Sequence, residues 1–102
     1  MTIEWTEPAL RDLEGIRDYI KRDSKHYADR FIERIVSAVE NLTRFPQIGR
    51  VIPEAKNPAL RELLYANYRV MYRIEPDRIL LVAVVHAARD WTSKEMKPWD
   101  VS

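Results

Sequence analysis

The basic residues best suited to chemistry lie between positions 61 and 89: Arg61, Arg69, Arg73, Arg78, His86 and Arg89. Arginine guanidinium groups form paired hydrogen bonds with phosphates and carboxylates. Histidine is the side chain that most readily acts as an acid or base near neutral pH. The pattern therefore fits a site for an anionic group. It fits better the solvent-facing positions of a sheet, which also need polar residues, and Arg78 beside a turn is of that second kind.

Other catalytic chemistries lack their motifs. The chain has no cysteine, glycine-rich phosphate loop, HExxH sequence or nucleophile elbow. Its two histidines, His26 and His86, are too far apart in sequence to anchor a typical zinc site. We therefore expect no metal and no cofactor.

The basic residues occupy a segment that predicts three strands. In the middle strand apolar positions alternate with polar ones, which gives a packed face and a face that carries Arg69 and Arg73. The next strand, residues 79–85, is apolar on both faces, as expected of a central strand. A turn at Pro76 and Asp77 joins the two. His86 follows directly, where a hydrogen-bonded structural histidine is as reasonable as a catalytic one.

Two helices are predicted before this segment. Thr6 is a suitable N-cap for a helix whose apolar residues recur at helical spacing as far as Ile20. Gly15 within it suggests close approach of a neighbouring element. Ser24 caps a second amphipathic helix, which we expect to end at Phe45 and Pro46. The short link between them predicts an antiparallel helical hairpin.

The element order is β-α-α-β-β-β, with a first strand at residues 2–5 and a tail from residue 90. This predicts an α+β fold, in which the hairpin packs on one face of a sheet of about four strands. The other face is expected to be open to water or to a partner. Trp91, Met96 and Trp99 predict that the tail docks, and residues 1–102 are interpreted as a single domain.

Composition limits the function classes. Hydrophobic residues make up 46% of the chain, and 17 basic residues balance 16 acidic ones for a net charge of +1. Near-neutrality argues against wrapping nucleic acid by bulk electrostatics, so a nucleic-acid role would need a local patch. The apolar runs are far shorter than a membrane span, and we see no signal peptide. We expect a soluble cytoplasmic protein without a membrane partner.

Three segments together resemble the RelE/ParE superfamily of toxins from type II toxin-antitoxin systems. They are IEWTEPALRDLEGIRDYI, NLTRFPQIGRVIPE and LRELLYANYRVMYRIEPDRILLVAVVHAARDW. The resemblance implies one of two activities. RelE-like members are metal-independent endonucleases that cut messenger RNA on the ribosome, whereas ParE-like members poison DNA gyrase. Both are neutralised by a cognate antitoxin, with which a hetero-oligomer forms.

The residues carried over from the nuclease branch are incomplete. Its middle-strand arginine falls on Arg69 and its last basic residue on Arg89. Its lysine pair would fall near Leu60 and Glu62, where this chain has no lysine. Its C-terminal tyrosine would fall near Glu95 and is also missing. Arginines hold phosphate charge but are poor proton carriers because they stay protonated.

The resemblance therefore favours the ParE branch, a plasmid-stabilisation toxin that inhibits gyrase and is not itself an enzyme. Its expected binding residues are Arg61, Arg69, Arg73, Arg89 and Trp91. The alternative is a RelE-like endoribonuclease, for which the candidate catalytic residues are Arg69, Arg73, His86 and Arg89. A third interpretation is a repurposed binding module without toxicity. We expect an amphipathic antitoxin segment to lie in apolar grooves, with its acidic groups reaching Arg69 and Arg73.

Overall fold

The computed structural model describes residues 1–92 and 96–100 of the chain. Within these residues it contains two α-helices, a 3-10 turn at Asn41–Thr43 and five strands. The helices are α1 (Glu7–Lys21) and α2 (Lys25–Glu40). The strands are β1 (Thr2–Trp5), β2 (Arg50–Val51), β3 (Leu60–Tyr65), β4 (Tyr68–Ile74) and β5 (Arg78–His86).

The strands form one mixed sheet in the order β1-β5-β4-β3-β2. β1 runs parallel to β5, and the other neighbours are antiparallel. The α+β prediction is confirmed, with one strand more than the four expected. β2 was not predicted because its two residues lie in a proline- and glycine-containing loop and are too few to show any alternation.

Both helices begin where their caps predict. The Thr6 hydroxyl accepts a hydrogen bond from the Ala9 amide at 3.2 Å, and the Ser24 hydroxyl accepts one from the Tyr27 amide at 3.1 Å. α2 ends at Glu40 and continues as the 3-10 turn, so its predicted end at Phe45 was too late. The close approach expected at Gly15 is also wrong, because a Cβ there would meet nothing within 4 Å.

The helical hairpin covers one face of the sheet, which we call the helix face. Its core residues come from both layers: Ala9, Leu13, Ile16, Phe31, Ile35, Val39, Leu42, Val70, Tyr72, Ile79, Leu81 and Val84. Phe31 of α2 packs against the rings of Tyr65 and Tyr68, at 5.3 and 5.7 Å between ring centroids. Both tyrosines are therefore packed between the sheet and α2.

The opposite side of the sheet, the second face, has a core of its own, so the expectation that it is open is wrong. This core consists of Ile52, Leu60, Met71, Leu80, Val82, Ala83 and Trp99. The loop after β2 and the tail supply its cover. Trp99 is only 5% exposed and meets Trp91 edge-on, which confirms that the tail docks. A strand that is apolar on both faces has to bury both, because leaving either in water forfeits the hydrophobic contribution.

Candidate functional site

Arg69 lies on the second face and is buried, with 5% of its surface exposed. Its Nε donates to Glu62 Oε1 at 2.7 Å, and its two terminal nitrogens donate to the two oxygens of Glu54 at 2.9 and 2.7 Å. The hydrogen bonds to Glu54 and Glu62 raise the pKa of Arg69 further, although burial opposes them. All three nitrogens of the guanidinium group therefore donate to two carboxylates of its own chain.

Glu62 is the deepest charged group of this network. Its side chain has no exposed surface, and its second oxygen accepts a hydrogen bond from Arg50 Nε at 2.6 Å. Glu54 comes from the loop after β2, and its hydrogen bonds to Arg69 lower its pKa. The network thus ties β2, β3, β4 and this loop together across the second face.

His86 and Arg69 lie on opposite faces of the sheet. In the β4–β5 pairing Tyr68 is opposite His86, and Arg69 is opposite Val85. Side chains alternate between faces along a strand. Tyr68 belongs to the helix-face core, so His86 shares that face, whereas Arg69 projects to the other. The structure does not bring these two predicted residues together.

His86 is exposed at the end of β5. Its ring meets that of Tyr68 edge-on with centroids 5.5 Å apart, and its Nδ1 accepts a hydrogen bond from the Ala88 amide at 3.1 Å. One ring nitrogen therefore stabilises the turn that follows β5. The same contact places the proton of a neutral ring on Nε2.

Arg61 also lies on the helix face, because it is directly opposite the buried Tyr72 in the β3–β4 pairing. It donates to the carbonyl oxygens of Pro58 at 3.1 Å and Gly49 at 3.0 Å. These contacts hold the loops on either side of β2. Arg61 is thus separated by the sheet from Arg69, with which the sequence grouped it.

Arg73 lies on the second face, four residues along β4 from Arg69. Its Nε donates to Glu75 Oε2 at 3.0 Å. Arg78 pairs with the same carboxylate and with Glu4 of β1. Four residues of strand correspond to roughly 13 Å, so Arg73 and Arg69 do not form one compact cluster.

Arg89 and Trp91 line a cleft of about 380 Å³ between α1, β5 and the tail. Arg89 is exposed, and its guanidinium carbon lies 4.6 Å from the centre of the Trp91 ring. This is the geometry of a cation–π contact. Lys97 also lines the cleft and donates to the Trp91 carbonyl oxygen. Of the predicted binding residues, Arg89 and Trp91 form the most accessible pair.

Asp12 also lines the cleft, and sequence reasoning did not single it out. Its Oδ2 accepts a hydrogen bond from the Val84 amide at 2.9 Å. Burial raises the pKa of Asp12, although the Val84 hydrogen bond and the Arg89 charge act in the opposite direction. A signal was available, since Asp12 adjoins the core stripe of Ala9, Leu13 and Ile16.

Comparison with known proteins identifies the family. The model of the ParE toxin of type II toxin-antitoxin systems matches residues 3–91. The chain belongs to the ParE toxin family.

Relatives and solved structures agree with this placement. The protein Y4kP of Sinorhizobium fredii is 37% identical over 91 residues, which cover 87% of this chain and 91% of that protein. Toxin RelE2 of Caulobacter vibrioides is 35% identical over 88 residues, covering 85% and 96%. The fold is shared with a chromosomal ParDE system from P. aeruginosa, with a TM-score of 0.69, 24% identity and coverage of 84% and 95%. It is also shared with a YoeB/ParE toxin from Agrobacterium tumefaciens, with a TM-score of 0.62, 19% identity and coverage of 84% and 98%.

In residues 1–92 and 96–100, neither helix is long and apolar enough to cross a membrane. The same residues contain no group of three or more histidine, aspartate or glutamate side chains placed to hold a metal ion.

Proposed function

We propose that this ParE-family toxin acts by binding DNA gyrase and blocking its reaction, and that it does not cut RNA. The observation that carries the proposal is the position of Arg69. A nuclease would use this middle-strand arginine to hold the scissile phosphate. Here Glu54 and Glu62 occupy the guanidinium group at hydrogen-bonding distances of 2.7–2.9 Å.

The separation of His86 from Arg69 supports the same proposal. Cleavage of RNA needs a group that activates the 2'-hydroxyl and another that protonates the leaving oxygen. His86 is the candidate proton carrier, but it lies on the helix face, and Arg69 lies on the second face. A substrate held by one could not be reached by the other across the sheet.

The target-binding surface is proposed to include Arg89 and Trp91, with Arg73 at its far end. Arg89 and Trp91 line the same cleft and are joined by the cation–π contact. Arginine over an aromatic ring is a frequent anchor in protein interfaces. Arg69, by contrast, holds strands and a loop of the second face together, and Arg61 holds loops on the helix face.

An antitoxin partner is proposed as well, since the solved relatives include a ParDE system and a toxin-antitoxin complex, RelBE2 from Mycobacterium tuberculosis. Its apolar segment would occupy the groove between α2 and β3, a hollow of about 170 Å³ beside the exposed Leu64 and Ile48. Its acidic groups would pair with exposed arginines. Arg69 is not one of them, because its own carboxylates already neutralise it.

A supercoiling assay tests the gyrase proposal. Purified toxin added to gyrase and relaxed plasmid should inhibit supercoiling and cause cleaved DNA to accumulate. Arg89→Ala should weaken inhibition by roughly tenfold, the cost of about 1.4 kcal/mol of lost binding. Arg11→Ala is the matched control, because Arg11 is a well-exposed arginine on α1 and should leave inhibition unchanged. Unaffected gyrase at micromolar toxin would contradict the proposal.

The alternative function is ribosome-dependent cleavage of messenger RNA. It is favoured by the similarity to Toxin RelE2 of Caulobacter vibrioides. It would rely on His86 and Arg89, the two candidates that are exposed. Cuts in a translated message that disappear in His86→Ala would support it.

A further inference from the structure

An aromatic cluster lies at the end of the molecule formed by the first half of α2 and the β3–β4 turn. Phe31 is its buried centre, with Tyr27 at 6.4 Å and Tyr65 at 5.3 Å between ring centroids. Tyr27 differs from the rest because 58% of its surface is exposed. Its ring therefore contributes little to the core and is available to a ligand.

Two arginines follow Tyr27 on the same side of α2. Arg30 and Arg34 follow it by three and seven residues, a spacing that places all three along one line of the helix. Both arginines are exposed. Among the described residues, neither side chain has an ion-pair or hydrogen-bond partner, whereas Arg17 is bound to Asp29 nearby.

These side chains enclose a small hollow. Tyr27, Arg30, Phe31, Arg34, Tyr65 and Ala66 line a space of about 110 Å³. A helix, about 10–12 Å across with its side chains, could not enter it. The hollow has the size of a single planar ring, with aromatic walls and two unpaired guanidinium groups at its rim.

We propose that this end of the molecule binds a short single strand of nucleic acid. One base would stack in the hollow against Tyr27 and Tyr65, and the phosphates on either side would pair with Arg30 and Arg34. Exposed bases are recognised in this way, by aromatic rings and arginine planes together with a few phosphate contacts. DNA and RNA offer the same chemistry here, and the test separates them.

The overall charge agrees with such a limited contact. A net charge of +1 does not favour wrapping a duplex. The contact would rest on Arg30 and Arg34 alone, because Glu33 and the Arg17-paired Asp29 lie beside them on α2. An acidic peptide could also pair with the arginines. It would leave the exposed Tyr27 ring and the ring-sized hollow without a role, so the nucleic acid is the better fit.

The test is direct binding of labelled oligo(dT) and oligo(rU) of equal length to the full chain, followed by fluorescence anisotropy at low salt. We expect the logarithm of the association constant to fall linearly with the logarithm of the salt concentration. The slope should be about −1.4, the value for two phosphate contacts on a single strand. The double variant Arg30→Gln/Arg34→Gln should lose at least tenfold in affinity. Tyr27→Ala should lose roughly tenfold, as removal of one stacking ring does. Tighter binding of one oligonucleotide identifies the sugar that the surface prefers.

The control is Arg11→Gln/Arg22→Gln, which removes the same charge from exposed positions in α1 and at its C-cap and should bind like wild type. Equal losses in the two double variants would overturn the proposal, because the binding would then be non-specific. Absence of binding to both oligonucleotides would overturn it too. So would binding of an acidic peptide alone, with the same dependence on Arg30 and Arg34. The assay contains no gyrase, so its outcome is independent of the proposed function.

Discussion

Arg69 and Glu62 form a buried ion pair across the second face, with Arg69 Nε 2.7 Å from Glu62 Oε1. The side chain of Glu62 has no exposed surface and that of Arg69 has 6%. Each partner is satisfied by a further contact, Arg50 for the glutamate and Glu54 for the arginine. An arginine that the family resemblance would place on a substrate is, in this chain, part of the scaffold.

The stability of the fold should depend on this pair. Removal of Arg69 takes away one of the two charged partners of the buried Glu62, which keeps its hydrogen bond to Arg50. We therefore expect Arg69→Ala to lower the free energy of unfolding by about 1.5–3 kcal/mol in urea denaturation, the usual contribution of a hydrogen bond to a charged group. Replacing both partners, as in Glu62→Leu/Arg69→Met, should cost less, because no fully buried charge remains and the former partners Arg50 and Glu54 are partly exposed to water. Arg11→Ala, which breaks an exposed pair with Glu7, should change stability by less than about 1 kcal/mol. A small effect of Arg69→Ala would show that the network is weak.

The contribution of Asp12 to the free energy of unfolding should fall as pH rises through the pKa of this group in the folded state. Burial raises the pKa of Asp12 above its ordinary 3.8, so the folded state binds a proton that the unfolded state has already lost. Stability linked to this group is thus fully present below 3.8 and is lost as pH rises through the folded-state pKa.

Two substitutions separate the charge of Asp12 from its hydrogen bond. Asp12→Asn keeps an acceptor for the Val84 amide and should remove this pH dependence without loss of stability at neutral pH. Asp12→Ala leaves that amide without its acceptor and should cost about 1–3 kcal/mol. Thermal denaturation from acidic to neutral pH measures both. An unchanged pH profile in Asp12→Asn would mean that another group is responsible.

The two glycines should respond oppositely to alanine. A Cβ at Gly49 would lie 2.6 Å from the Tyr72 hydroxyl and 2.7 Å from the Glu62 carbonyl oxygen. Gly49→Ala should therefore destabilise by about 1–3 kcal/mol, the usual cost of overpacking. Gly15 is helical with open space around it, so Gly15→Ala should stabilise by roughly 1 kcal/mol. Chemical denaturation measures the free energy of unfolding of both variants. A stabilised Gly49→Ala would contradict the close packing beside β2.

Local patterns predicted most of the fold. Capping residues and helical periodicity gave the starts of both helices, and alternation gave the side on which Arg69 lies. Alternation could not show that this side is covered. The cover comes from Glu54, 15 residues away in a loop, and from Trp99 in the tail, and neither contact has a periodic signal. The five-stranded sheet likewise depends on a two-residue strand that only the tertiary pairing with β3 defines.

The candidate site was predictable by residue type and not by arrangement. The sequence grouped Arg61, Arg69, Arg73, His86 and Arg89, but the fold divides them between two faces and the end of β5. The alternation of side chains along a strand could have placed His86 and Arg69 on opposite faces only if the β4–β5 register had been known. That register includes an irregularity between Met71 and Tyr72, which sequence reasoning had no means of placing.

The central claim is that this toxin binds its target and does not cut RNA. The most direct measurement maps the ends of a defined messenger RNA in a translating extract supplied with purified toxin, with gyrase inhibition by the same preparation as proof of activity. The proposal predicts intact message at toxin concentrations that fully inhibit gyrase. Specific cuts within the translated region, abolished by His86→Ala and retained in Arg11→Ala, would contradict it.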